Sequence, residues 1–137
     1  MIVPLICLAL NIYFEARGDS ILSQVATAQV VMNRVKDDRY PNDVCSVVTQ
    51  SKKDKKGFPI RDKCQFSWYC DGKSDKPTDK TAWKQSKTIA GLIIDGQIFD
   101  LTQGSTHYHA YWVTPNWKIK KQFTAKIGDH IFYKWEN

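Results

Sequence analysis

Between Pro4 and Val35 two helical stripes run back to back, interrupted at Gly18. In the first, Leu5, Leu8, Ile12 and Glu15 fall at i, i+3, i+7 and i+10, one face of a helix. In the second, Ile21, Val25, Ala28, Met32 and Val35 recur at i, i+4, i+7, i+11 and i+14. Pro4 suits a first helical turn, Gly18 suits a stop, and Asp19 or Ser20 suits the cap of the next helix. The first stripe therefore places Glu15 in the last turn of its helix, half in a core and half out. Lost solvation raises the pKa of such a carboxyl, and the negative end of the helix dipole pushes the same way. A carboxyl kept protonated near neutral pH can serve as a general acid. The competing expectation is a surface ion pair, with Arg17 or another cation as partner.

At 137 residues the chain is long enough for one real core, and one domain over residues 1–137 is expected. Hydrophobic residues at 42%, with five Trp, argue against disorder. The net charge of +6 favours an anionic partner. The runs "SKKDKK" (Ser51 to Lys56) and "KIKK" (Lys118 to Lys121) are too short for a nucleic-acid signature and read as solvated loops. "MIVPLICLAL" lacks the basic start and small-residue cleavage site of an export signal, and ten apolar residues are too few to span a bilayer. It reads as part of the first core helix, in a chain made in the cytoplasm without its own signal peptide. Cys7, on that helix, is expected to be a buried free thiol. Cys45, Cys64 and Cys70 are too irregular for a zinc ribbon. Cys64 and Cys70 could close a small loop as a disulfide, or stay thiols in a reducing cytoplasm.

Further along, Val44 to Gln50 reads as a helical turn or short helix, 51–57 as a loop ending at Gly57, and Asp71 to Lys80 as a second loop. A helix capped by Thr78 or Asp79 carries Trp83, Ala90, Ile93 and Ile94 and stops near Gly96. Thr106 to Val113 alternates as a strand, and "HIFYKW" reads as a strand or an extended tail. Helices first and a small sheet after them suggest an α+β fold.

Two constellations besides Glu15 could carry chemistry. In "CQFSWYC", Gln65 and Ser67 offer hydrogen bonds while Phe66 and Trp68 offer flat faces, a mixture that suits a sugar; the alternative is that the aromatics are core. In "HYHA", His107 and His109 share one side of a strand, with Tyr108 on the other. With His130 and Glu15 they could form a zinc site, or a histidine could bind substrate or orient a carboxylate. No second carboxylate is marked as a partner for Glu15: Asp19 reads as a cap, and Asp71, Asp95 and Asp100 lie in loop or helix-end contexts.

Five blocks, "IYFEARGDS…QVATAQVVMNRV", "YPNDVCSVVTQ", "CQFSWYCDG", "THYHAYWV-TPNW" and "IGDHIFY", resemble the cell wall hydrolase family of the spore-cortex-lytic enzymes. The resemblance runs from about Leu8 to Tyr133. It implies a compact, mostly helical, lysozyme-like α+β domain with a small antiparallel sheet, acting on the glycan strands of peptidoglycan. It implies that Glu15 is catalytic, and that Gln65, Phe66 and Ser67, together with Thr106, His107, Tyr108 and His109, bind or support substrate. Trp68 joins that group from the aromatic argument. One glutamate suffices for a lytic transglycosylase, which needs no metal or cofactor. A hydrolytic muramidase or glucosaminidase, and a zinc amidase using His107, His109 and His130, are the alternatives; a non-enzymatic binder of wall polymer or nucleic acid ranks behind both. The absence of a signal and of a separate wall-binding domain looks like a phage endolysin, a monomer released by a holin-type partner, with no nucleic acid and no stable membrane association.

Overall fold

Four α-helices and five β-strands make up the fold, seen in a computed structural model that describes residues 3–136. Helix α1 spans Pro4–Ala16 with Pro in its first turn. Gly18, at φ +84°, takes the left-handed conformation that turns the chain, and Ser20 caps α2 (Ile21–Val35) by accepting from Ser23 N. Helix α3 (Val44–Val48) is capped by Asp43 and α4 (Lys80–Ile94) by Asp79. Leu8, Ile12, Val25, Ala28, Val31, Val47, Ile89 and Ala90 interlock as the core between these helices. Ile21 and Ile94, expected on the buried stripes, are exposed: in the first turn of α2 Ser23 and Gln24 face inward instead, and in the last turn of α4 Ile93 is the residue in the core. Met1 and Ile2 of the apolar N-terminal run lie outside the described residues.

Three strands form an antiparallel sheet in the order β3-β5-β4, from β3 (His107–Ala110), β4 (Lys121–Ile127) and β5 (His130–Trp135). Ala26 and Val30 of α2 pack on Phe132, which fixes the sheet against the helices. β3 is shorter than the strand expected from Thr106 to Val113, since Tyr111 to Val113 turn out into solvent. The "HIFYKW" segment is a strand, paired on both sides.

Two expected loops are instead paired. Ser51–Lys53 (β1) and Pro59–Cys64 (β2) form an antiparallel ribbon, and Lys121 of the "KIKK" run opens β4. Cys7 is not a free thiol. It is bonded to Cys45, because α3 crosses α1 with the two Cα atoms 5.2 Å apart. Cys64 and Cys70 close the small loop as the first of the two alternatives held.

Candidate active site

Glu15 reaches an open cleft of about 450 Å³ where three elements meet: the end of α1, strand β3, and the turn joining β4 to β5. Arg17 and Asp19 from the α1–α2 turn, Tyr108, Trp112 and His130 also line it. Glu15 is half-buried, and the Tyr108 hydroxyl donates a hydrogen bond to its Oε1. Burial raises the Glu15 pKa above the ordinary glutamate value and outweighs the Tyr108 hydrogen bond and the Arg34 charge, which lower it. Arg17 is not its partner: that guanidinium bonds the Tyr13 hydroxyl and lies over the Tyr13 ring. Burial, then the Glu15 charge and hydrogen bond, pushes the Tyr108 phenol well up, so it remains a donor.

Arg34 was not visible as a site residue in the sequence. It is buried at 6% exposure, its Nε donates to the Thr106 carbonyl at 2.8 Å, and it lies against the rings of Tyr40 and Phe66. A clue existed: Arg34 follows Val30 and Val31 at i+4 and i+3, on the buried side of α2.

A second polar group lies in the same cleft. Asp19 Oδ2 accepts from Ser23 Oγ at 2.5 Å and from Asp129 N at 3.2 Å, and lies 3.1 Å from His130 Nδ1. His130 Nδ1 is also 3.0 Å from Ser23 Oγ. Burial would raise the Asp19 pKa, but the hydrogen bonds from Ser23, Ser20 and Asp129 and the His130 interaction bring it down. Burial lowers His130 against the pull of Asp19, so the imidazole is neutral at pH 7. With Nδ1–H donating to Asp19, the lone pair sits on Nε2. Asp19 is thus an ionised carboxylate beside Glu15's cleft, although Ser20 rather than Asp19 is the helix cap. The other acids considered have local duties: Asp71 accepts from Lys73 N, Asp95 ends α4, and Asp100 accepts from Thr102 N, Gly104 N and Asn33.

Of the residues singled out in the sequence, Glu15, Arg17, Asp19, Tyr108, His109 and His130 line the cleft. Gln65 is exposed, with its Oε1 3.4 Å from Arg34, and Ser67 is exposed at the start of a 3-10 turn. Phe66 and Trp68, at 3% and 7% exposure, give their faces to protein: Phe66 to Arg34, and Trp68 to Phe14, with its indole N–H on Asn11. Thr106 is buried and bonds His107 Nδ1. Burial, then Arg34 and Lys121, lowers the His107 pKa to about 4.

The histidines do not converge. His130 pairs with Ala110 and so shares the Tyr108 face, while His107 and His109 lie on the other face, against Trp117. Among the described residues no group of three or more His, Cys, Asp or Glu is arranged to hold a metal ion.

An α+β frame of this kind has known counterparts. The sequence pattern of the Cell Wall Hydrolase family matches residues 18–133, and the chain belongs to that family. The matched span begins three residues after Glu15. The chain is 29% identical over 126 residues to the spore cortex-lytic enzyme of Halalkalibacterium halodurans, covering 91% of this chain and 33% of that one. It is 30% identical over 124 residues to the spore cortex-lytic enzyme of Bacillus cereus, covering 90% and 41%. It therefore spans about a third to two-fifths of the length of these curated relatives. Among solved structures it is similar to the catalytic domain of the germination-specific lytic transglycosylase SleB from Bacillus anthracis. There the TM-score is 0.71 at 30% identity, over 96% of this chain and 93% of that chain. The Bacillus cereus SleB catalytic domain gives 0.66 at 27%, over 96% and 89%.

Proposed function

We propose that this chain cleaves the β-1,4 bond between N-acetylmuramic acid and N-acetylglucosamine in peptidoglycan, as a lytic transglycosylase with Glu15 as both acid and base. The observation that carries this is the Glu15 carboxyl, whose pKa burial raises while the Tyr108 hydroxyl donates to it and the Arg34 charge favours its ionised form. The protonated carboxyl gives its proton to the glycosidic oxygen as the C1–O4 bond breaks. Tyr108 and Arg34 then stabilise the carboxylate. That carboxylate takes the proton of the muramic 6-hydroxyl as the hydroxyl oxygen bonds to C1. A 1,6-anhydro ring results and Glu15 ends protonated, so the proton balance closes without a second acid. The likeness to a catalytic domain described as a lytic transglycosylase supports the same chemistry.

Asp19 favours a second reading. An ionised carboxylate lining the same cleft, hydrogen-bonded to a neutral histidine, could hold and activate a water, which would make the enzyme a hydrolase. Mass spectrometry of fragments released from purified peptidoglycan separates the two. Anhydro-muramic ends are expected, and reducing ends would establish hydrolysis and turn attention to Asp19. Free stem peptides with intact glycan would refute both.

In the living system we place the site of action at the bacterial wall, where two disulfides are chemically at home. The same proposal takes the enzyme as a phage endolysin, a monomer released to the wall by a holin-type partner. No helix among the described residues is long and apolar enough to cross a membrane.

A further inference from the structure

The β1–β2 ribbon carries charge out of proportion to its size. Between Ser51 and Cys64 stand six cations, Lys52, Lys53, Lys55, Lys56, Arg61 and Lys63, against Asp54 and Asp62. This one segment accounts for four of the six net positive charges of the chain. None of its residues is buried, so it adds nothing to the core. A two-stranded ribbon without a buried face has little stability of its own. Here it is tethered at its base by the Cys64–Cys70 disulfide and by Gln65 N donating to the Gln50 carbonyl at 3.0 Å. Asp54 is occupied in the tip, accepting from Lys56 N at 2.9 Å and Phe58 N at 3.0 Å. Asp62 sits at φ +62° in a bulge where β2 outruns β1 between the Ser51–Cys64 and Lys53–Pro59 pairs.

Beside the ribbon is a shallow hollow of about 530 Å³, separate from the Glu15 cleft, lined by Phe58, Arg61, Tyr69, Gly72 and Lys73 among others. Arg61 packs over Gly72 so closely that a Cβ there would lie 2.9 Å from its Cζ. Phe58 is 64% exposed. Asp71 and Asp75 are the nearby carboxylates in the sequence, and Asp71 is engaged by Lys73 N. The Arg61 guanidinium matches the fork of a phosphate, lysines supply point charges, and the exposed Phe58 ring fits a carbon stretch between phosphates.

We propose that the β1–β2 ribbon and its hollow form a docking arm for a phosphodiester-linked anionic polymer of the bacterial wall, which retains the enzyme on its substrate and takes no part in bond cleavage. The proposal rests on the wall-degrading function proposed above. A glycan backbone offers no regular row of charges to such an arm, whereas a polymer with one phosphate per repeat does. Binding of this kind releases counterions and weakens steeply with salt.

The test compares wild type with a Lys52→Gln, Lys53→Gln, Lys55→Gln, Lys56→Gln variant and with an Arg61→Gln, Lys73→Gln variant. Each is co-sedimented with purified walls, either intact or stripped of phosphodiester polymer by mild acid, across a salt series. Each is also assayed on a soluble glycan fragment. Wild type should bind intact walls about tenfold more tightly than stripped walls at low salt, with the difference lost at high salt. Both variants should bind intact walls about tenfold more weakly, with a flatter salt dependence, and cleave the soluble fragment at the wild-type rate. Equal binding of wild type to intact and stripped walls overturns the proposal, as do variants that bind like wild type. Tighter binding to duplex DNA than to the isolated polymer overturns the choice of partner. Failure of every protein to cleave the soluble fragment overturns the catalytic reading instead, while the sedimentation still decides the arm.

Discussion

Glu15 is under two opposed influences: burial favours its acid form, while the Tyr108 hydroxyl and the Arg34 guanidinium favour its carboxylate. The proposed chemistry uses both forms. Because the acid form starts the reaction, activity should decline as pH rises through the raised Glu15 pKa. Tyr108→Phe removes a donor that stabilises the carboxylate. The Glu15 pKa then moves higher still, and the alkaline limb of the kcat/KM profile shifts to higher pH. Turnover should fall about tenfold, equivalent to about 1.4 kcal/mol of lost carboxylate hydrogen bonding. An alkaline limb that moves to lower pH would contradict this account of Tyr108. Glu15 was legible in the sequence because a carboxylate on an apolar helical stripe is a local pattern. Arg34 and Asp19 were not, because their meaning lies in what packs on them: the Tyr40 ring just beyond α2 and the distant Phe66 ring for Arg34, and the β4–β5 turn for Asp19. The alternation of "HYHA" correctly put Tyr108 opposite the two histidines, but only tertiary packing reveals that the Tyr108 side meets the acid.

At the scale of elements, the helices declared themselves through stripes, caps and glycine stops, and α1, α2 and α4 follow those signals. The missed strands lack the pattern that announces a strand. β1 and β2 are solvated on both faces, so no apolar alternation marks them. In β4 a bulge between Phe123 and Ala125 breaks the two-residue period. The cleft depends on the docking of the β4–β5 turn against the α1–α2 turn. Gly128, at φ +56°, sits where a Cβ would lie 2.7 Å from Ser23 Cβ and 2.8 Å from Asp19 Oδ1. Gly128→Ala should therefore cost about 2 kcal/mol or more in denaturant unfolding, and should weaken the Asp19–His130 contact as well. A neutral effect would mean that the two turns are not packed as described.

For the molecule as a whole, the two disulfides have unequal reach. Cys7–Cys45 closes 38 residues and ties α1 to α3, whereas Cys64–Cys70 closes 6 and anchors the basic ribbon. Loop-closure entropy gives about 4 kcal/mol for the first and about 2 kcal/mol for the second. Replacing Cys7 and Cys45 by Ser should lower the unfolding free energy more than replacing Cys64 and Cys70, and an inverted order would contradict the chain-entropy explanation. The most direct test of the central claim is the rate of soluble fragment release from purified peptidoglycan by Glu15→Gln against wild type. The substitution should not harm the fold. A carboxyl whose folded pKa is raised contributes stability below its unfolded pKa and loses it as pH rises through the folded one, so Glu15→Gln should unfold at a higher temperature than wild type at pH 7, with the gap closing near pH 4. Release should fall by about a thousandfold, within the range a general acid contributes. A folded Glu15→Gln protein that releases fragments at the wild-type rate would contradict the assignment of Glu15 as the acid.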